Sequence, residues 1–259
     1  MGRDFVEALA APRGLPASLP AQCPPLLLVV IDTEEEFDWS RPLARENVAV
    51  AAMRDQARAH RLFERFGIRP TYVVDYAVAG QPDGFRPLKE LYDSGLCDVG
   101  AHLHPWVNPP HEETVCNFNS YPGNLPPALE RAKLAALCDV IGESFGRRPT
   151  VYKAGRYGAG RATTPALEAL GFEVDTSVLP HTDLTPNEGP DYSHCGAAPY
   201  WFGHGRKLLE IPMTVGYAGL LRRSDGHLHR RLDGPCDGAG ARRPADPSAV
   251  DLCGALAGG

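Results

Sequence analysis

Two short stretches of this 259-residue chain carry side chains whose types and spacing suit divalent-metal chemistry. The first is Ile31-Asp32-Thr33-Glu34, where an apolar run from Leu26 to Ile31 gives way to acid. The second is Gly100-Ala101-His102-Leu103-His104-Pro105. An extended strand turns alternate side chains to the same side, so Asp32 with Glu34, and His102 with His104, each form a pair on one face. Two imidazoles meeting one or two carboxylates make a mixed nitrogen and oxygen site, and three protein ligands leave a position open for water or substrate. A run of acidic residues alone is commonly a solvated turn, and a lone His-x-His pair is commonly a loop feature. The metal reading rests on the two occurring together at strand ends. Lys153, in Tyr152-Lys153-Ala154-Gly155-Arg156-Tyr157, is either an ordinary exposed lysine or a cation placed to pair with Asp32 and orient it as a general base. Asp175, in Val174-Asp175-Thr176-Ser177, is expected to orient neighbours or cap a turn rather than react. The glycines Gly155, Gly158 and Gly160 match neither a dinucleotide fingerprint nor a phosphate loop.

These residues need strand ends to hold them, and the hydrophobic pattern supplies strands and helices in alternation. Leu26–Ile31 reads as a strand buried on both faces. Apolar residues from Asn47 to Phe66 keep helical spacing up to Gly67. Strands are expected at 71–74, 97–101, 150–152, 172–174 and 208–211. Helices are expected at 85–92, from an Asn124 cap through Pro126-Pro127 to Gly146, and from Thr164-Pro165 to Gly171. This order predicts an α/β fold with a mostly parallel sheet or barrel covered by helices, and with function in the loops after the strands. Segments 102–123 and 177–206 are long and rich in Pro, Gly, Asn and His, as site-forming loops are.

Composition narrows the partners. Lys plus Arg is 26 and Asp plus Glu is 32, a net charge of −6, which argues against nucleic acid and anionic membrane as ligands. The longest apolar run is far short of a bilayer span, and no basic start followed by an apolar core marks an export signal. The 7 cysteines contain no Cys-x-x-Cys pair, which favours reduced thiols and a cytoplasmic setting. Oligomeric state is left open. Gly 27 and Pro 25 exceed the usual share, and part of the excess falls in the last 25 residues, where few large aliphatics remain. The expected organisation is an N-terminal extension at 1–23, a domain at 24–220, and a Gly/Pro/Ala-rich tail at 221–259 that adds nothing to a core and could be foreign to the fold.

In this order the motifs resemble the polysaccharide deacetylase family, the NodB homology domain of carbohydrate esterase family four. Asp32-Thr33-Glu34 resembles its first motif, with a base and a metal ligand. His102-x-His104-Pro105 resembles its second, with two residues fewer between the histidines than the usual His-x-x-x-His. Tyr152-Lys153-Ala154-Gly155 resembles its third, with Lys where Arg is common, and Gly171-Phe172-x-x-Asp175-Thr176-Ser177 its fourth. The resemblance spans about residues 24 to 215. It implies a distorted parallel (β/α) barrel, a divalent metal (zinc first) held by Glu34, His102 and His104, and hydrolysis of an N-acetyl group on a sugar. Asp32 would be the base, Lys153 would orient it, and Asp175 would support the pair from behind. Trp106, Tyr121, Arg156 and Tyr157 would face the carbohydrate. The family also uses a histidine from a further strand near the C-terminus as acid, and no strand long enough to carry one follows residue 214; His227 and His229 read as tail residues. The barrel is therefore expected to be incomplete at its C-terminal end. The alternative is a relative that binds glycan or metal without turnover, and hydrolysis of a non-sugar amide shares the same site chemistry.

Overall fold

The computed structural model describes residues 15–205 and 207–215. The parts of the expected extension and tail that lie beyond them, with His227 and His229, fall outside the described residues. Eight strands form one sheet in the order β1-β7-β8-β6-β5-β4-β3-β2. They are β1 (Leu15–Pro16), β2 (Val30–Thr33), β3 (Thr71–Val74), β4 (Asp98–Leu103), β5 (Val151–Ala154), β6 (Val174–Asp175), β7 (Tyr200–Phe202) and β8 (Leu208–Glu210). From β2 to β6, and between β6 and β8, all neighbours are parallel; β7 runs antiparallel to both β8 and β1. Helices α1 (Gln56–Arg65), α2 (Tyr76–Gly80), α3 (Pro82–Asp93), α4 (Pro127–Phe145) and α5 (Thr163–Leu170) fill the crossovers. The α/β architecture with a mostly parallel sheet is thus as the sequence pattern predicts. No helix among the described residues is long and apolar enough to cross a membrane.

The core lies between sheet and helices: Tyr72, Val74, Ala101, Leu103 and Tyr152 from the strands meet Leu88, Leu134, Leu137, Ile141 and Leu167 from the helices, all fully or almost fully buried. The chain stops its helices where left-handed glycines intervene, at Gly146 (φ 80°) after α4 and Gly171 (φ 82°) after α5. A buried lysine fixes the loop that follows β4. Lys133 on α4 donates to the carbonyls of Pro105 (2.9 Å) and Asn108 (2.6 Å) and pairs with Glu113 at 2.9 Å.

Several elements differ from the expected ones, each for a physical reason. The first sheet strand of the crossover series is Val30–Thr33, not Leu26–Ile31; Leu26, Leu27 and Leu28 are exposed. Among the described residues β2 has only β3 as a partner, and β3 begins after Pro70, whose nitrogen cannot donate, so the ladder opens with Thr71 N–H on the Val29 carbonyl at 2.9 Å. The helix expected from Asn47 starts later, as a tight turn at Ala51–Asp55 leading into α1, because Ala49 is engaged in a bridge with Glu36. Asn124 does not cap α4. Pro126 occupies the cap position, and the Asn124 amide donates to the carbonyls of Phe118 (2.9 Å) and Glu188 (2.8 Å) instead. The segment 177–206 contains the three-residue strand β7, too short for its alternation to be read.

Candidate functional site

The strand ends are brought together by curvature. β5 and β2 are three strand spacings apart, which on a flat sheet would separate their Cα atoms by about 14 Å. Yet Lys153 Nζ on β5 lies 2.7 Å from Asp32 Oδ1 on β2 and contacts Oδ2 as well. The sheet therefore curls, as in a barrel wall, and its C-terminal ends converge. Lys153 is buried, and its ammonium also sits 4.6 Å from the centre of the Tyr157 ring.

Beside this pair stands the second group. His102 is the fifth residue of β4, and His104 follows the strand's end on the same side. Glu34, just past β2, points its Oε2 at both: 3.2 Å from His102 Nε2 and 3.3 Å from His104 Nε2. Burial would raise the Glu34 carboxyl, but the combined attraction of His104, His102 and Lys153 outweighs it and brings the pKa down to about 2. The far ring nitrogens are spoken for. His102 Nδ1 faces the Lys153 carbonyl at 2.9 Å, and a carbonyl only accepts, which assigns the proton to Nδ1. His104 Nδ1 faces Glu35 Oε2 at 2.8 Å. Both Nε2 atoms are then turned toward the Glu34 carboxylate, and one ligand atom from each of the three residues lies within 4.8 Å of the others. Such a set fits a divalent cation: two imidazoles and a carboxylate, with each imidazole's other nitrogen held by an acceptor behind it.

Glu35 and Asp75 were not singled out from the sequence. Glu35 is buried behind His104, and its own N–H donates to Asp75 Oδ2 at 3.2 Å. Asp75 caps α2 through Oδ1, which accepts from Val78 N–H at 2.7 Å. Burial, with the Glu34 charge added, pushes Glu35 up to about 7; burial and Glu35 push Asp75 well above the usual carboxylate range. The signal was present in strand alternation: Glu35 must face opposite to Glu34, toward the interior.

The residues expected to face carbohydrate divide. Trp106 is buried and stacks on His104, with ring centres 4.3 Å apart and planes 26° from parallel, so it braces a ligand-type histidine and presents no open face. Tyr121 and Tyr157 are likewise buried. The three rings expected to face carbohydrate are thus covered in this structure. Arg156 lies in the turn Gly155–Tyr157, where both Arg156 (φ 54°) and Tyr157 (φ 59°) adopt the left-handed conformation. Its Nη1 donates to Asn117 Oδ1 at 2.8 Å and to Ser120, and its guanidinium covers the Tyr121 ring at 4.2 Å. The turn is thereby tied to the loop after β4. A ring that does reach solvent is Trp39, 43% exposed and unremarked in the sequence.

Asp175 on β6 is fully buried. Its Oδ1 accepts from Ser177 N–H at 3.0 Å and from the Ser177 hydroxyl, whose oxygen in turn accepts from Ala154 N–H at 2.8 Å, next to Lys153. Burial raises Asp175 to about 6 against the donors from Ser177. Its neighbour in register is Glu210 on β8, which burial and Asp175 push well above the usual range.

At the ends of a curled parallel sheet, Glu34, His102 and His104 thus form a group that could hold a metal ion, beside the Asp32–Lys153 pair. No family model and no curated protein sequence matches the chain. Its backbone is similar to solved structures of polysaccharide deacetylases and family 4 carbohydrate esterases. One is a candidate polysaccharide deacetylase from Mycobacterium smegmatis (TM-score 0.48, 16% identity, 77% of this chain and 62% of that one). Another is the BpsB deacetylase domain of Bordetella bronchiseptica (TM-score 0.40, 16% identity, 59% and 64%). A third is a family 4 carbohydrate esterase from Streptomyces lividans in complex with acetate (TM-score 0.38, 12% identity, 57% and 61%). The chain thus spans less than two thirds of the length of each.

Proposed function

We propose that the protein is a metal-dependent hydrolase of the polysaccharide deacetylase type that removes an N-acetyl group from a sugar. The observation that carries this reading is the juxtaposition of the Asp32–Lys153 pair with the Glu34, His102 and His104 triad at adjoining strand ends. A divalent metal held by that triad, zinc in this reading, would polarise the acetyl carbonyl and make water a better nucleophile at neutral pH. Asp32 accepts the proton of the attacking water, and Lys153 holds its carboxylate in place. Returning that proton to the amine nitrogen completes cleavage of the carbon–nitrogen bond. His104 is kept in one tautomer by Glu35, and Asp175, through Ser177, fixes the end of the strand that carries Lys153. Cys97, Cys138 and Cys195 are buried free thiols, which supports a reducing, cytoplasmic setting.

Equilibrium dialysis against zinc tests the ligand assignment. The purified protein is expected to retain about one zinc, and His102→Ala and His104→Ala to lose it; zinc retained by both variants would refute the triad. Acetate release from an N-acetylated oligosaccharide is expected to vanish on chelation and return with metal.

A further inference from the structure

We propose that a second sugar ring of the same glycan, one carrying an acidic group, binds in the groove beside the strand ends, stacked on Trp39 with its anion toward Arg41. This deepens the deacetylase reading and rests on it. The groove, about 290 Å³, is lined by Trp39, Arg41, Leu43, Val115, Cys116 and Arg156, among others. It adjoins the site through ring contacts: Phe37 lies 6.0 Å from His104, and Trp39 lies 4.3 Å from Phe37. In the proposal, a glycan with one residue at the metal triad passes Phe37 to place the next ring in this groove.

The lining sets the class of that neighbour. A half-exposed indole offers the flat apolar face on which a pyranose packs, and Arg156 stands 5.6 Å from the ring centre, polarising it. Arg41 and Arg156 contribute two guanidinium groups, and among the described residues no Asp or Glu lines the groove, on a chain whose net charge is −6. Two carboxylates contact lining residues: Asp38 lies 3.4 Å from Arg41 in an exposed pair, and Glu188 accepts from Asn117 at 2.7 Å. An exposed pair of that kind is weak and easily exchanged, so Arg41 can turn to a ligand carboxylate or phosphate, which a guanidinium binds through two parallel hydrogen bonds.

The metal-loaded full chain is assayed for acetate release with an N-acetylated monosaccharide and with three oligosaccharides: neutral, carboxylated and phosphorylated. The wild type is expected to show a lower KM for an acidic oligosaccharide than for the neutral one; whichever acid gives it identifies the group. Trp39→Ala should raise that KM about tenfold with kcat unchanged and leave the monosaccharide unaffected. Arg41→Ala should abolish the preference for the acidic chain. Equal KM values for neutral and acidic chains in the wild type, or an unchanged KM in Trp39→Ala, would overturn the proposal. Cys116, exposed in the groove, gives a readout that needs no turnover. Its alkylation by iodoacetamide, followed by peptide mass spectrometry, should slow in the acidic oligosaccharide and not in the neutral one. Protection without acetate release would leave the groove assigned and the deacetylase reading refuted; no protection would overturn the groove.

Discussion

At the scale of single residues, the account turns on which nitrogen of each histidine carries the proton. His102 takes its orientation from a backbone carbonyl, which no substitution of a side chain removes, whereas His104 takes it from Glu35. Glu35→Gln is therefore expected to weaken zinc binding by about 10- to 100-fold, read by competition with a chromophoric chelator. Affinity equal to wild type would show that Trp106, stacked on the same ring, holds it without help. Glu34→Gln removes a ligand outright and should cost more than Glu35→Gln does. The pairing of His102 with His104 and of Asp32 with Glu34 was legible in the sequence because a strand's period of two needs no tertiary knowledge. The partnership of Glu35 with His104 was not, because it joins residues 69 apart across a curve that only the folded sheet makes.

At the scale of elements, the close approach of β5 to β4 is what the site depends on. Gly155 follows β5 directly, and a Cβ there would stand 2.3 Å from the Leu103 carbonyl oxygen and 2.6 Å from His104 Cδ2. Gly155→Ala is expected to push the His104 ring off its position, lowering stability by about 1–3 kcal/mol in urea denaturation and weakening zinc binding together. An alanine variant with unchanged zinc affinity would mean that the ring has room to give. The central strands were readable from their β-branched and apolar runs, and the helix ends from Gly146 and Gly171. Leu26–Leu28 misled because an apolar run signals burial only where a neighbouring strand is present to pair with it. The burial of Trp106 was not legible, because the turn that carries it is tied to Lys133 on α4, a contact 28 residues away from Pro105 in sequence.

At the scale of the whole molecule, several carboxyls are buried with too few donors to hold their charge, and their titration links stability to pH. Glu130 on α4 is an example clear of the metal triad: burial, then the charge of Asp175, raises it from 4.5 to about 7, and Thr163 is its donor. A carboxyl raised in the folded state binds its proton more tightly there than in the unfolded chain. Its contribution is full below pH 4.5 and is lost as pH rises toward 7. Glu130→Gln should therefore gain stability relative to wild type across that window, by an amount on the order of 3 kcal/mol, in urea denaturation at stepped pH. A difference that stays constant with pH would contradict the raised value. The central claim, that Asp32 serves as base beside a metal held by Glu34, His102 and His104, is tested most directly by acetate release from N-acetylated oligosaccharides, comparing zinc-loaded wild type with Asp32→Asn. The account predicts release by the wild type and a loss of at least about 100-fold in the variant, with zinc affinity retained. A wild type that binds zinc and releases no acetate, or an Asp32→Asn variant as active as the wild type, would contradict it.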